Sequence, residues 1–155
     1  MKTSVLIISA VLLISFSAYG QSEKNVPANV ATAFSQKFPG ASKVEWGKEN
    51  DKEWEAEFKM DGKGYSANFD NSGVWKETKY EITAKEIPAA VKATLDKELA
   101  GYKVARSEVS ETQEGKIFEF ALSNGTEKLE AAIDASGKVL TKEPVKKEKE
   151  DEEDD

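Results

Sequence analysis

Chemistry in this chain has to come from carboxylates, hydroxyls and tryptophans, because it contains neither histidine nor cysteine. Every Ser-His-Asp or Cys-His arrangement is thereby excluded. So are the usual zinc, copper and haem sites, which rely on those ligands. No glycine-rich phosphate loop and no dinucleotide fingerprint is present. What survives is hydrolysis by paired carboxylates of the glycosidase kind. With 33% of residues charged, however, pairs of acids arise on any exposed face. The chain is therefore read as a non-enzyme without cofactors, and a carboxylate-dependent hydrolase is kept as an alternative.

The acids that recur at a regular spacing suit binding better than catalysis. Glu53, Glu55, Glu57 and Lys59 alternate with Trp54, Ala56, Phe58 and Met60, the pattern of a strand with one buried and one wet face. Ser66 and Asn68 hold the same phase between Tyr65, Ala67 and Phe69. Trp75 is out of phase with Val74, Tyr80 and Ile82 and shares its parity with Glu77 and Lys79. One open sheet face would then carry Glu55, Glu57, Ser66, Asn68 and Trp75. That is an aromatic centre with an acidic surround, suited to a basic or polar partner. A plain solvated face is the competing account of the acids, and Trp75 could instead cover a sheet edge or pack against the second half. Trp46 and Trp54 read as core.

Asp70-x-Ser72-Gly73 and Asp134-x-Ser136-Gly137 look like fragments of calcium loops. Both lack the further oxygen ligands and the distal glutamate of such a loop. They are read as tight hairpins in which Asp bonds to nearby backbone and Gly supplies a positive φ.

The elements that must position these residues occur twice. Val26-Pro27-Ala28-Asn29-Val30 matches Ile87-Pro88-Ala89-Ala90-Val91. Val30, Phe34 and Phe38 then mark one helix face, and Val91, Leu95 and Leu99 the other. Proline is expected at the first helical position, and Gly40 and Gly101 as C-terminal caps. Thr83 to Glu86 offers a competing capping-box start for the second helix, the later start being favoured. Trp54–Phe58 aligns with Phe118–Leu122, and Tyr65–Gly73 with Leu129–Gly137. Turn signals separate the strands at Asp61-Gly62, Asn71-Ser72-Gly73, Asn124-Gly125 and Ala135-Ser136-Gly137. The fold class expected is α+β: two tandem helix-plus-antiparallel-sheet units, 21–82 and 83–141. Each helix packs on one face of a three- to four-stranded meander.

The ends differ in kind from this middle. Residues 1–20 read as a cleavable signal peptide: Lys2, an apolar run from Val5 to Phe16, and small residues at Ala18 and Gly20. Without cysteine the chain is not a lipoprotein, and no later segment is apolar enough to span a bilayer. Residues 142–155 read as a disordered acidic tail ending in the run Glu150 to Asp155. The tail suggests a second alternative, a calcium-responsive envelope protein, with calcium bound only weakly. A net charge of −7 without a basic face argues against nucleic acid.

The exported N-terminus, VPANV…FSQKFPGA, YSANFDNSG and their second copies resemble the PepSY-like family of bacterial envelope proteins. That family is similar in fold to the beta-lactamase inhibitor protein, itself built of tandem helix-plus-sheet units. The resemblance spans nearly all of the chain between signal and tail, rests on structural motifs, and brings no catalytic residues. It implies a non-catalytic binding or inhibitory role, periplasmic or secreted, toward a protein or peptide of the cell envelope. The inhibitor's disulfides have no counterpart here, which argues against carrying over a beta-lactamase target. Signal and domain together suit a Gram-negative bacterium of the Bacteroidetes type.

Overall fold

In a computed structural model that describes residues 25–145, α1 (Ala28–Lys37) leads into four strands: β1 (Ser42–Asn50), β2 (Glu53–Met60), β3 (Lys63–Asp70) and β4 (Trp75–Glu81). The order then recurs with α2 (Ala89–Glu98), β5 (Lys103–Thr112), β6 (Gly115–Ser123), β7 (Lys128–Asp134) and β8 (Val139–Pro144). All eight strands form one open antiparallel sheet in the order β1 to β8. The joint is β4–β5, where Tyr80 faces Val109 and Lys79 faces Ser110. The signal segment and the end of the acidic tail lie outside the described residues. β8 itself runs to Pro144, three residues into the segment expected to be tail.

Both helices cover the same side of this sheet. One cross-strand row runs Phe58, Tyr65, Tyr80, Val109, Phe118 and Ile133. Its first residue packs beneath α1 with Val30, Phe34 and Trp46. Its later members pack beneath α2 with Val91, Leu95 and Leu99. The two apolar clusters are separate, and the Tyr65 and Tyr80 rings, 5.2 Å apart, touch between them. Under α1 the core is aromatic: Phe34 meets Trp46 and Phe58 edge-on at 5.2 and 5.0 Å.

Two cross-strand pairs place a large and a small residue in opposite order. Trp46 faces Ala56 on β1–β2, and Ser107 faces Phe120 on β5–β6. All four are buried. The large side chain sits on the first strand of one pair and on the second strand of the other, each filling its layer.

Two local expectations change, and the favoured later start of the second helix holds. Pro27 and Pro88 stand one position before the helices, as caps whose side chains accept no hydrogen bond, and the Pro27 carbonyl accepts from Val30 and Ala31. Gly40 and Gly101 are not left-handed caps. Each helix ends earlier, at Phe38 or Leu99, whose N–H closes on the carbonyl four residues back. The Thr83–Glu86 pattern does close on itself, with Thr83 N–H and Oγ1 donating to Glu86 at 2.8 and 2.9 Å. It builds a turn ahead of α2 and leaves the helix to start after Pro88.

The two Asp-x-Ser-Gly hairpins are turns, as expected. Asp70 Oδ1 accepts from Ser72 N, Ser72 Oγ and Val74 N at 2.9, 2.5 and 3.0 Å, and Asp134 repeats the set with Ser136 and Lys138. These donors, the serine hydroxyl first, hold both carboxyls below the usual carboxylate range. Each hairpin also seats its glycine against a helix start. A Cβ on Gly73 would lie 2.9 Å from the Asn29 carbonyl oxygen, and one on Gly137 2.7 Å from that of Ala90.

Candidate functional site

The side of the sheet away from the helices is covered by no other described element. Alternation along β2 and β3 aims Glu55, Glu57, Ser66 and Asn68 at it, as the sequence pattern predicts, and register turns them into rows. Glu55, Asn68, Glu77 and Thr112 form one row, and Glu57, Ser66, Lys79 and Ser110 the next. A third passes through Glu81, Glu108, Glu119 and Ala132.

Trp75 is not among them. A bulge on β4 lets Asn68 face Glu77 while the adjacent Phe69 faces Trp75. This irregularity reverses the side to which Trp75 points. The ring joins the cluster under α1, with Lys37 Nζ 3.7 Å from its centroid and Nε1 donating to Thr78 Oγ1 at 2.8 Å. The aromatic centre expected on the open face is therefore on the covered side. Trp46 and Trp54 are core, as expected.

What takes the centre is an ionic lattice across the β4–β5 joint. Arg106 reaches Glu108 at 2.7 Å and Glu81 at 2.9 Å. Lys79 lies 3.5 Å from Glu119 and 3.9 Å from Glu77, and Ser110 donates to Glu77. Glu108 and Glu119 are only 3% and 6% exposed, with Ser66 and Ser110 similarly buried. Among the described residues no buried side-chain nitrogen or oxygen lacks a partner. A lattice this satisfied is rigid.

Acids outnumber cations in it, and burial makes them hard to ionise. Glu55 is raised by burial first, then by Glu49 and Glu57, with Ser66 and Lys79 opposing. Glu57 is raised by burial and by Glu45. Glu108 is raised by burial, against the pull of Arg106. Glu130 follows the same pattern, with Glu119 and Glu143 adding to burial. Such a surface favours a cationic partner and disfavours an anionic one. Among the described residues no cluster of three or more acids could hold a metal ion, and no helix is long and apolar enough to cross a membrane.

Sequence reasoning missed Lys79 as a bridge, and missed Arg106, Glu108, Ser110 and Glu119 altogether. The alternation Arg106, Glu108, Ser110 was visible. What tied it to Glu55 and Asn68 was the pairing of β4 with β5, which neither strand announces alone.

Residues 52–141 match the family model described as "Putative beta-lactamase-inhibitor-like, PepSY-like". Solved structures share the fold. A DUF2874 family protein from Bacteroides uniformis is 21% identical with a TM-score of 0.71, over 76% of this chain and 88% of its own. A BLIP-like protein from Bacteroides fragilis is 17% identical with a TM-score of 0.71, over 80% and 89%. A "putative periplasmic" protein from Bacteroides eggerthii is 22% identical with a TM-score of 0.70, over 77% and 88%. No curated protein matches the sequence at a significant level. At these identities the structural likeness is one of fold.

Proposed function

The chain belongs to the PepSY-like, beta-lactamase-inhibitor-like family, and from that premise we propose that it is an exported, non-catalytic module that binds a protein or peptide of the cell envelope through its open sheet face. The observation that carries this reading is the face itself: uncovered by any described element, spanning both halves, and braced at its joint by buried charges that are partnered. Rigid polar groups fixed in advance lower the ordering cost of recognition. Glu55, Glu57 and Asn68 form its first-half patch, and Arg106, Lys79 and Glu108 brace it from the joint. Trp75 takes no part, being held under Lys37 on the other side.

Three finer readings accompany it. The chain is a tandem repeat, which the paired hairpin glycines, the matched Asp-x-Ser-Gly turns and the Trp46/Ala56–Ser107/Phe120 exchange support. It reaches the periplasm or the outside through its N-terminal signal sequence, and the B. eggerthii relative supports that location. Inhibition of the partner is the role suggested by the BLIP-like relative.

A photo-crosslinking side chain at Thr112, on the open face, tests the binding surface against one at Gln36, on α1. In envelope extract the Thr112 probe should yield a discrete crosslinked species and the Gln36 probe none. Glu55→Gln, Glu57→Gln and Asn68→Ala together should cut that yield several-fold, and Trp75→Ala should leave it unchanged. Equal yields from both probes, or a yield indifferent to the triple variant, would sink the proposal.

A further inference from the structure

Two open-face rows cross from β3 to β4 without interruption, and a third does not. Lys59 faces Gly64 on β2–β3, but β3–β4 pairing ends at Tyr65 and Tyr80. The row resumes only at Glu81, Glu108 and Glu119. A cleft of about 530 Å³ lies in this break, a volume in the range that binds a compact ligand or an anchoring side chain. Space opens beside Gly64, where a Cβ would meet nothing within 4 Å.

The walls are of two kinds. Phe58, Tyr65 and Ile82 line the cleft with apolar surface from the covered side, and Glu45, Glu57 and Arg106 contribute charge. Arg106 is already engaged by Glu81 and Glu108, and Lys63, also in the lining, by Glu86. Glu45 and Glu57 face each other directly across β1–β2, an arrangement of like charges that disfavours the pairing. Neither makes an ion pair among the described residues. Two further lysines at the rim, Lys43 and Lys59, are exposed, whereas Glu57 is half-buried. Glu45 is exposed like the lysines, so the charge that solvent reaches least is that of Glu57, and the counterpart it lacks is a cation.

We propose that this cleft is the anchor pocket of the open face. It takes a bulky apolar side chain of the partner against Phe58, Tyr65 and Ile82, while an adjacent lysine or arginine of the same segment reaches between Glu45 and Glu57. This rests on the open face being the binding surface, and it names the chemistry a partner must present there.

The test is amide-shift titration of the purified protein with N-acetyl-Trp-Arg-amide, N-acetyl-Trp-Glu-amide and N-acetyl-Gly-Arg-amide. The Trp-Arg probe should move the Gly64, Tyr65 and Ile82 amides with a Kd on the order of 1–10 mM, at least threefold tighter than either other probe. Gly64→Leu fills the break and should weaken that binding about tenfold, with its melting temperature showing that it folds. Glu57→Gln, which leaves the cleft empty, should abolish the preference for arginine over glutamate while retaining the response to tryptophan. Equal affinity for Trp-Arg and Trp-Glu would overturn the proposal, as would shifts scattered over the surface or binding indifferent to Gly64→Leu. If the Thr112 crosslink persists undiminished in Gly64→Leu while the dipeptides fail, the open face binds and the anchor pocket is wrong. If the crosslink is also absent, both fail.

Discussion

Replacing Gly137 by alanine forces a side chain into the seat of α2. The glycine has φ of +90°, where an L-residue is disfavoured by about 1–2 kcal/mol. Its new Cβ would stand 2.7 Å from the Ala90 carbonyl oxygen and 3.1 Å from Thr94 Oγ1. The first is backbone at the start of the helix, so relief means moving the hairpin off α2. That movement breaks the hydrogen bond that Thr94 donates to the Gly137 carbonyl, worth about 0.5–1.5 kcal/mol net. The expected loss is about 2–4 kcal/mol, or roughly 10 °C in melting temperature for a domain of this size. Gly125 supplies the control, because its φ is +92° and a Cβ there meets nothing within 4 Å. Gly125→Ala isolates the backbone cost, about 1–2 kcal/mol. Urea unfolding followed by circular dichroism measures both. If Gly137→Ala falls within about 0.5 kcal/mol of Gly125→Ala, close approach to the helix is not what demands glycine and the reasoning fails.

Two other outcomes follow from the packing and the charges. Trp46→Ser should cost about 3–5 kcal/mol, and adding Ala56→Phe, which copies the Ser107–Phe120 pair, should restore about 1–3 kcal/mol; a further additive loss in the double variant would show that the halves do not share one layer. Glu55, Glu57, Glu108 and Glu130 have folded pKa values raised above the free ones, so their contribution is full below the unfolded pKa and is lost as pH rises through the folded pKa. Asp70, Asp134 and Glu86, the last lowered to about 2, contribute above their unfolded pKa and lose it as pH falls through the folded one. The urea midpoint should therefore rise from pH 7 to about 5 and fall below about 3.5, and Glu55→Gln should flatten the upper limb. A midpoint that only declines on acidification contradicts this.

Patterning made much of the architecture legible. Val30, Phe34 and Phe38 announced a helix face, alternation placed Trp54, Ala56 and Phe58 inward, and Asp61-Gly62 announced a hairpin whose two positive φ values are present. Trp75 was misplaced because a bulge adds one residue without leaving a mark on composition. Gly40 and Gly101 misled because a glycine after a helix is compatible with a cap without being one. The site was half legible for a different reason. A strand's own pattern tells which residues share its face, but not which strand lies beside it. Glu55 and Asn68 were readable as a patch, whereas the lattice around Lys79, Arg106 and Glu108 exists only once β4 and β5 pair.

The joint between the halves has a mechanical meaning. Beneath it the two apolar clusters are separate, with the Tyr65 and Tyr80 rings touching between them, so the helices back the sheet on either flank rather than along its midline. A plate reinforced that way bends where the reinforcement stops. Bending there alters the curvature of the uncovered side while each flank keeps its shape. The cations Lys79 and Arg106 sit along the same line on the opposite surface, acting as straps on the side where bending would open a gap. The straps hold that line, so the two backed flanks and the braced midline present the uncovered side as one pre-set surface.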